Sequence, residues 1–243
     1  MNKNAILAYG ATAYTIFFLT FLYMIGFLAN VGVGKSIDSG EPFPPGLAII
    51  IDLFLIALFA LPHSLMARPE FKKWWTQHIP KEIERSTYVL VASLLLLFLF
   101  WQWRTVYITL WHFEQPIIRA VLWGLFLAGW GIVLLSTFLI NHFDLFGLRQ
   151  VWLHFKEQEY THLPFVTPLL YKLVRHPLYT GFLLAFWATP EMSLGHFIFA
   201  AAMTAYIVLA IPYEERDLET YHGDAYAEYK RKVPKLIPFM KPK

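Results

Sequence analysis

The chain has 243 residues, of which 57% are hydrophobic and only 15% charged, against about 25% charged in an ordinary soluble domain. That balance excludes a soluble globular enzyme. The net charge of +3 does not mark a nucleic-acid binder, because the basic residues fall in the connections between apolar runs. With no cysteine, disulfides, thiolate metal sites and cysteine nucleophiles are excluded.

Apolar runs of bilayer length, about 20 residues for a core of roughly 30 Å, are read at 6–31, 46–66, 87–108 and 117–140, followed by a longer one at 178–212. The first is too long for a signal peptide and no small-residue cleavage site follows it, so a retained helix is expected. The connection at 67–86 carries Arg68, Lys72, Lys73, Lys81 and Arg85, and that at 141–177 carries Arg149, Lys156, Lys172 and Arg175. Seven lysines and arginines follow Tyr213, whereas 32–45 has only Lys35, opposed by Asp38 and Glu41. The positive-inside rule places 67–86, 141–177 and the tail in the cytoplasm, and four crossings put the amino terminus there too.

Residues 177 and 213 then lie on one side, so the last apolar run crosses an even number of times. Its middle, W-A-T-P-E-M-S-L-G, offers Pro190 and Gly195 for a turn. A helical hairpin follows, with arms at Leu178–Thr189 and about Ser193–Pro212. The expected fold is all-α: one polytopic integral membrane domain over 1–243, with four transmembrane helices in 1–140, a cytoplasmic connection at 141–177, the hairpin at 178–212 (five to six membrane segments in all) and an amphipathic cytoplasmic tail at 213–243.

Two polar motifs flank the hairpin. In R-H-P-L-Y-T-G (Arg175 to Gly181), Pro177 suits the first position of a helix, where free amides bind anions. Tyr179 offers a ring to stack, and Gly181 permits close approach. An ordinary interfacial helix cap explains the same motif, and both readings stay open. In E-E-R-D-L, Glu214 and Glu215 are taken to stand at a helix carboxyl end, where carboxylates oppose the dipole; hydrogen bonding to ammonium or ribose hydroxyls is one role, a solvated salt bridge with Arg216 or Arg231 the other. The stretch that follows, Y-H-G-D-A-Y-A-E-Y-K-R-K-V-P-K-L-I-P, reads as an amphipathic helix ended by Pro234 and Pro238.

The ordered set R-H-P-x-Y-x-G, apolar hairpin, E-E-x-x-L, Y-x-x-Y and V-P-x-x-I-P, over roughly 170–238, resembles the isoprenylcysteine carboxyl methyltransferase and phospholipid methyltransferase superfamily of membrane enzymes. The strings A-L-P-H-S-L-M-A-R-P-E-F-K-K-W-W, E-R-S-T-Y-V-L, F-W-Q-W-R and N-H-F-D-L-F-G-L-R-Q-V-W extend a narrower likeness over 60–238, to the bacterial methanethiol S-methyltransferases. This resemblance implies S-adenosylmethionine as cofactor, surrounded by His176, Tyr179, Gly181, Glu214 and Glu215, with Pro177 at the helix start and Tyr171 and Arg175 as neighbours. It implies methylation of methanethiol to dimethyl sulfide, with hydrogen sulfide as a further acceptor. The alternative is a lipid or prenyl-cysteine carboxylate acceptor, and the third reading a membrane protein without enzymatic function.

A thiol acceptor reacts as thiolate, and the cysteine thiol has a pKa of about 8.5, so a base or a cation is needed beside it. His63, near the cytoplasmic end of the second segment, is the first candidate base, with a structural histidine as the plain alternative. Asp52, three turns earlier, is read as an outer-interface residue. His142, Asp144 and Arg149 in N-H-F-D-L-F-G-L-R-Q form a second candidate group, with Glu84, Arg85 and Tyr88 as partners, and an interfacial loop is the equal alternative for this segment. The nine histidines are scattered, so no metal site is expected. The expected partners are a small volatile thiol and the lipid bilayer, without nucleic acid or an obligate protein partner, and the expected location is the bacterial inner membrane with both termini and the cofactor site facing the cytoplasm.

Overall fold

The computed structural model describes residues 2–41 and 43–240; the last three residues of the expected 213–243 tail lie outside them. In chain order the elements are α1 (Lys3–Ala29), α2 (Pro45–Ala67), α3 (Pro69–Trp75), α4 (Lys81–Gln102), β1 (Thr109–His112), α5 (Pro116–Ile140), α6 (His142–Leu145), α7 (Leu148–Phe155), α8 (Pro177–Trp187), β2 (Glu191–Ser193), α9 (Leu194–His222) and α10 (Asp224–Lys232). Helices α1, α2, α4, α5 and α9 are long and apolar enough to cross a membrane. The protein is therefore an all-α polytopic membrane protein, since helices satisfy their own backbone in lipid. Their ends follow local rules: Asn2 caps α1 through Ala5 N at 2.8 Å, Asn30 closes it in the left-handed region at φ 58°, and prolines start α2, α5 and α8.

The chain divides into two compact units. The first comprises Met1–Ile108 and His142–His162. Here α1 packs on α4 and α7, and α2 on α4. Ile6, Ile83 and Val151 form a small core at the α1–α4–α7 junction. Two glycines permit this packing. A Cβ on Gly10 would stand 2.5 Å from a Val151 methyl, and one on Gly147, already at φ 87°, would stand 2.7 Å from Ser86 N. The third apolar helix is displaced from the expected 87–108. It starts after Pro80, and the chain leaves the helix at Trp103 (ψ 133°), where Arg104 N donates to Asp52 Oδ1 at 2.8 Å. Asp52 is fully buried against the end of α4. Its carboxylate anchors the chain end of the neighbouring helix, 52 residues away.

The second unit comprises Thr109–Asn141 and Leu163–Lys243. Helix α8 lies against α5, close enough that a Cβ on Gly129 would meet Gly181 O at 2.7 Å and one on Gly181 would meet Gly129 O at 2.7 Å and Val133 N at 2.8 Å. Small residues of this kind let helix backbones approach in a membrane, where dispersion replaces the hydrophobic effect as the adhesive. The hairpin is present, with α8 and α9 as its arms. Its turn is pinned by His196 Nε2 to Phe186 O at 3.0 Å, by the Ser193 cap on His196 N at 3.0 Å, and by an unexpected antiparallel strand pair, Thr109 with Ser193 and His112 with Glu191.

The arms are unequal. Helix α8, of 11 residues, rises only about 16 Å, about half a bilayer core. Helix α9 does not stop at Pro212 as expected but runs through it to His222, closing at Gly223. A proline inside a helix forfeits one backbone hydrogen bond, and here the helix continues past that loss. Glu214 and Glu215 therefore sit inside α9, eight and seven residues before its end, so the helix-dipole argument for them does not apply. Helix α10 ends at Lys232, before Pro234, as its sequence indicates.

Candidate active site

At the open end of the hairpin, the start of α8 faces the glutamate pair of α9. Arg175 and Glu215 meet there, with Nε to Oε1 at 2.8 Å, and their side chains are 0% and 4% exposed. The guanidinium also holds the tail: Nη1 donates to Lys230 O at 2.9 Å and to Val233 O at 2.5 Å. His176 Nε2 donates to the same Glu215 oxygen at 3.1 Å, since a carboxylate only accepts. Lys230 Nζ lies 3.6 Å from Glu215 Oε2. Glu215 is thus enclosed by two cations and a histidine.

Glu214 is placed differently. Its side chain is 42% exposed, with His176 Nδ1 at 3.8 Å, and Tyr179 Oη donates to its Oε2 at 2.8 Å. No lysine or arginine among the described residues pairs with it. The His176 ring stacks on Tyr179 with centroids 5.6 Å apart and planes 24° apart. This half-open edge offers one uncompensated negative charge beside two stacked rings, an arrangement that accepts a cationic ligand carrying hydrogen-bond donors.

The tail covers the helix start expected to bind an anion. Arg175 N donates to Pro234 O at 2.8 Å and His176 N to Lys235 O at 3.1 Å, while Thr180 Oγ1 donates to Leu236 O at 2.7 Å. Two of the amides ahead of α8 are thereby taken. Tyr229 Oη donates to Tyr171 O at 2.5 Å, so the tyrosine pair of α10, the V-P-x-x-I-P run and the arginine motif form one interlocked body. Burial first, and then the Glu214 carboxylate, push the Tyr171 phenol above its ordinary range, which keeps it a neutral donor. Pro177 and Gly181 are buried, and the space left at Gly181 is filled by the α5 backbone. The close approach expected at that glycine is therefore made by a neighbouring helix.

The candidate base and its alternatives all belong to the first unit, where they form hydrogen-bonded pairs. His63 Nε2 and Tyr88 Oη are 2.8 Å apart. The Arg85 guanidinium lies 5.2 Å from the Tyr88 ring, and Arg85 Nε donates to Leu145 O at 2.7 Å, tying the His63–Tyr88 pair to α6. His142 Nε2 and Tyr14 Oη are 2.8 Å apart, and burial lowers the His142 pKa from the usual imidazole value. Asp144 and Arg149 are ion-paired at 3.0 Å. Arg149 also donates to Thr161 O and Oγ1, both at 2.8 Å, and Tyr160 Oη donates to Asp144 Oδ2 at 3.3 Å. That pair pins residues 160 and 161. Among the described residues no group of histidines and carboxylates is arranged to hold a metal ion. Tyr88 as the partner of His63 follows from side-chain reach across helices, which spacing in the sequence does not reveal.

Five bilayer-length helices and a buried guanidinium–carboxylate–histidine group at the open end of a hairpin define a polytopic membrane protein with a built polar site. The chain is 51% identical to a methanethiol S-methyltransferase of Crocosphaera subtropica, over 99% of this chain and 94% of that one. It is 49% identical to one of Mycobacterium tuberculosis, over 98% of each, and 54% identical to methanethiol S-methyltransferase 1 of Bradyrhizobium diazoefficiens, over 95% of this chain and 81% of that one. A more distant likeness, 28% over 69% of this chain, is to Nurim of Mus musculus. No protein-family model matches the chain, and no solved structure does. The chain belongs to the methanethiol S-methyltransferase family, and the protein is a membrane methyltransferase.

Proposed function

We propose that the protein transfers a methyl group from S-adenosylmethionine to methanethiol, forming dimethyl sulfide, and that hydrogen sulfide is a further acceptor. The observation that carries this reading is the likeness of about half of all residues, over nearly the whole chain, to relatives named for that reaction. S-adenosylmethionine supplies a methyl group made electrophilic by the positive charge on its sulfur.

The residues present suit such a donor. Glu214, negative, half-open and without a pairing lysine or arginine among the described residues, takes the ammonium or a ribose hydroxyl, and the stacked Tyr179 and His176 rings flank it. Tyr171 provides a neutral hydroxyl. Arg175, Pro177, Gly181 and Glu215 build the buried wall behind these groups.

The acceptor's proton goes to His63, whose ring is oriented by its hydrogen bond with Tyr88. The acceptor would then act as a thiolate nucleophile, and S-adenosylmethionine held at Glu214, Tyr179 and His176 would supply the electrophilic methyl group. Asp144 and Arg149 hold the connection that carries His142. We place the protein in the bacterial inner membrane with this chemistry on the cytoplasmic side, a placement supported by the lysines and arginines at 67–86, 141–177 and after Tyr213.

Headspace gas chromatography of the purified protein with methanethiol and S-adenosylmethionine tests the reading. Dimethyl sulfide in step with S-adenosylhomocysteine is expected. Its absence, with methylation of an isoprenylated cysteine instead, contradicts it.

A further inference from the structure

Two tyrosines three positions apart on α10 have unlike hydroxyls. Tyr229 Oη donates to a backbone carbonyl at 2.5 Å. Tyr226, only 2% exposed, has its hydroxyl enclosed without a hydrogen-bond partner among the described residues. Roughly nine in ten buried polar groups find a partner, and each exception calls for a physical reason. Burial first, and then the Glu215 and Glu214 carboxylates, hold this phenol protonated, so it has a proton to give and lone pairs to share.

The surroundings are aromatic. The Phe165 ring stands 5.8 Å from Tyr226 at 71° and 5.5 Å from Tyr229 at 69°, and it faces His222 at 5.0 Å and 39°. Phe165 is half-buried and belongs to a run, 163–168, with neither helix nor strand. That run enters Leu169 at φ 41°, a region bulky side chains avoid and which persists only where the surroundings impose it. One wall of this cluster is therefore carried on irregular backbone, and the other three rings are carried on helices.

We propose that Phe165, His222 and Tyr226 form the subsite for the adenosyl half of the methyl donor. Phe165 shifts to stack on the purine face, and the Tyr226 hydroxyl hydrogen-bonds the purine edge or the ribose. The cationic half of the same ligand lies at Glu214, eight residues before His222 on α9, about 12 Å by helix rise. A flat ring with a polar edge matches an aromatic wall bearing a single unpaired hydroxyl. The proposal rests on the reading of S-adenosylmethionine as donor.

The test pairs calorimetric titration of S-adenosylmethionine and S-adenosylhomocysteine with melting of the ligand-free protein, for the wild type, Tyr226→Phe and Phe165→Leu. We expect Tyr226→Phe to weaken both ligands by roughly two- to tenfold, the effect of one neutral hydrogen bond. Its ligand-free melting temperature should hold or rise, because the hydroxyl removed had no partner. Phe165→Leu should weaken both ligands similarly and carries the test if Tyr226→Phe does not fold. Wild-type affinity in both variants, or a lower melting temperature with unchanged affinity, overturns the subsite. A wild type that binds neither ligand overturns the donor reading itself.

Discussion

Arg175 and Glu215 are 40 residues apart in sequence and 2.8 Å apart in space, both shut away from solvent. Arg175 closes the hairpin by gripping α9, and with Nη1 it holds the tail at Lys230 and Val233. This pair explains why the arginine motif, the double glutamate and the terminal proline run occur together: they are three parts of one joint. The adjacent Glu214 lies outside that joint and faces outward, with Tyr179 as donor.

Breaking the joint strands a buried charge. Arg175→Ala is expected to lower stability by about 3–5 kcal/mol, read as loss of the folded fraction or a lower melting temperature in detergent. Arg175→Lys should not restore it, because an ammonium lacks the planar fork that serves Glu215 and two carbonyls together. A lysine variant as stable as the wild type would reduce the pair to ordinary charge balance.

Gly181 tests packing against binding. In Gly181→Val the added atoms meet Gly129 O and Val133 N, and overpacking of this kind costs about 1–3 kcal/mol. The expected result is a lower melting temperature, and Gly129→Val should produce the same from the opposite helix. If Gly181→Val keeps the wild-type melting temperature yet loses donor affinity, the glycine serves the ligand instead.

For the proton, His63→Ala is expected to reduce turnover by roughly 10²–10⁴-fold, with donor affinity unchanged by calorimetry. Tyr88→Phe should reduce turnover less and alter the pH–rate profile, because it removes the hydroxyl that orients the ring. Unchanged turnover of His63→Ala across pH would remove it as base and leave His142, bonded to Tyr14, as the next group to test.

The apolar runs made the membrane helices legible, because a bilayer demands about 20 apolar residues whatever else the protein does. The hairpin was legible from charge placement together with Pro190 and Gly195. What escaped depends on partners distant in sequence. The partner of Asp52 is Arg104 N, 52 positions on, and the strand pair at the turn joins residues some 80 positions apart. The end of α9 was misplaced because Pro212 looks like a stop, although tertiary packing carries the helix on to His222. The glutamate pair was singled out from sequence, but the division of labour within it was not, because burial separates two identical side chains that composition cannot.

That division is the central claim, and calorimetric titration of S-adenosylmethionine into Glu214→Gln and Glu215→Gln, with melting temperatures measured alongside, tests it most directly. Glu214→Gln should lose about 10- to 100-fold in affinity, the effect of a charged hydrogen bond, at an unchanged melting temperature, while Glu215→Gln should lose stability first. Wild-type affinity in Glu214→Gln contradicts the account.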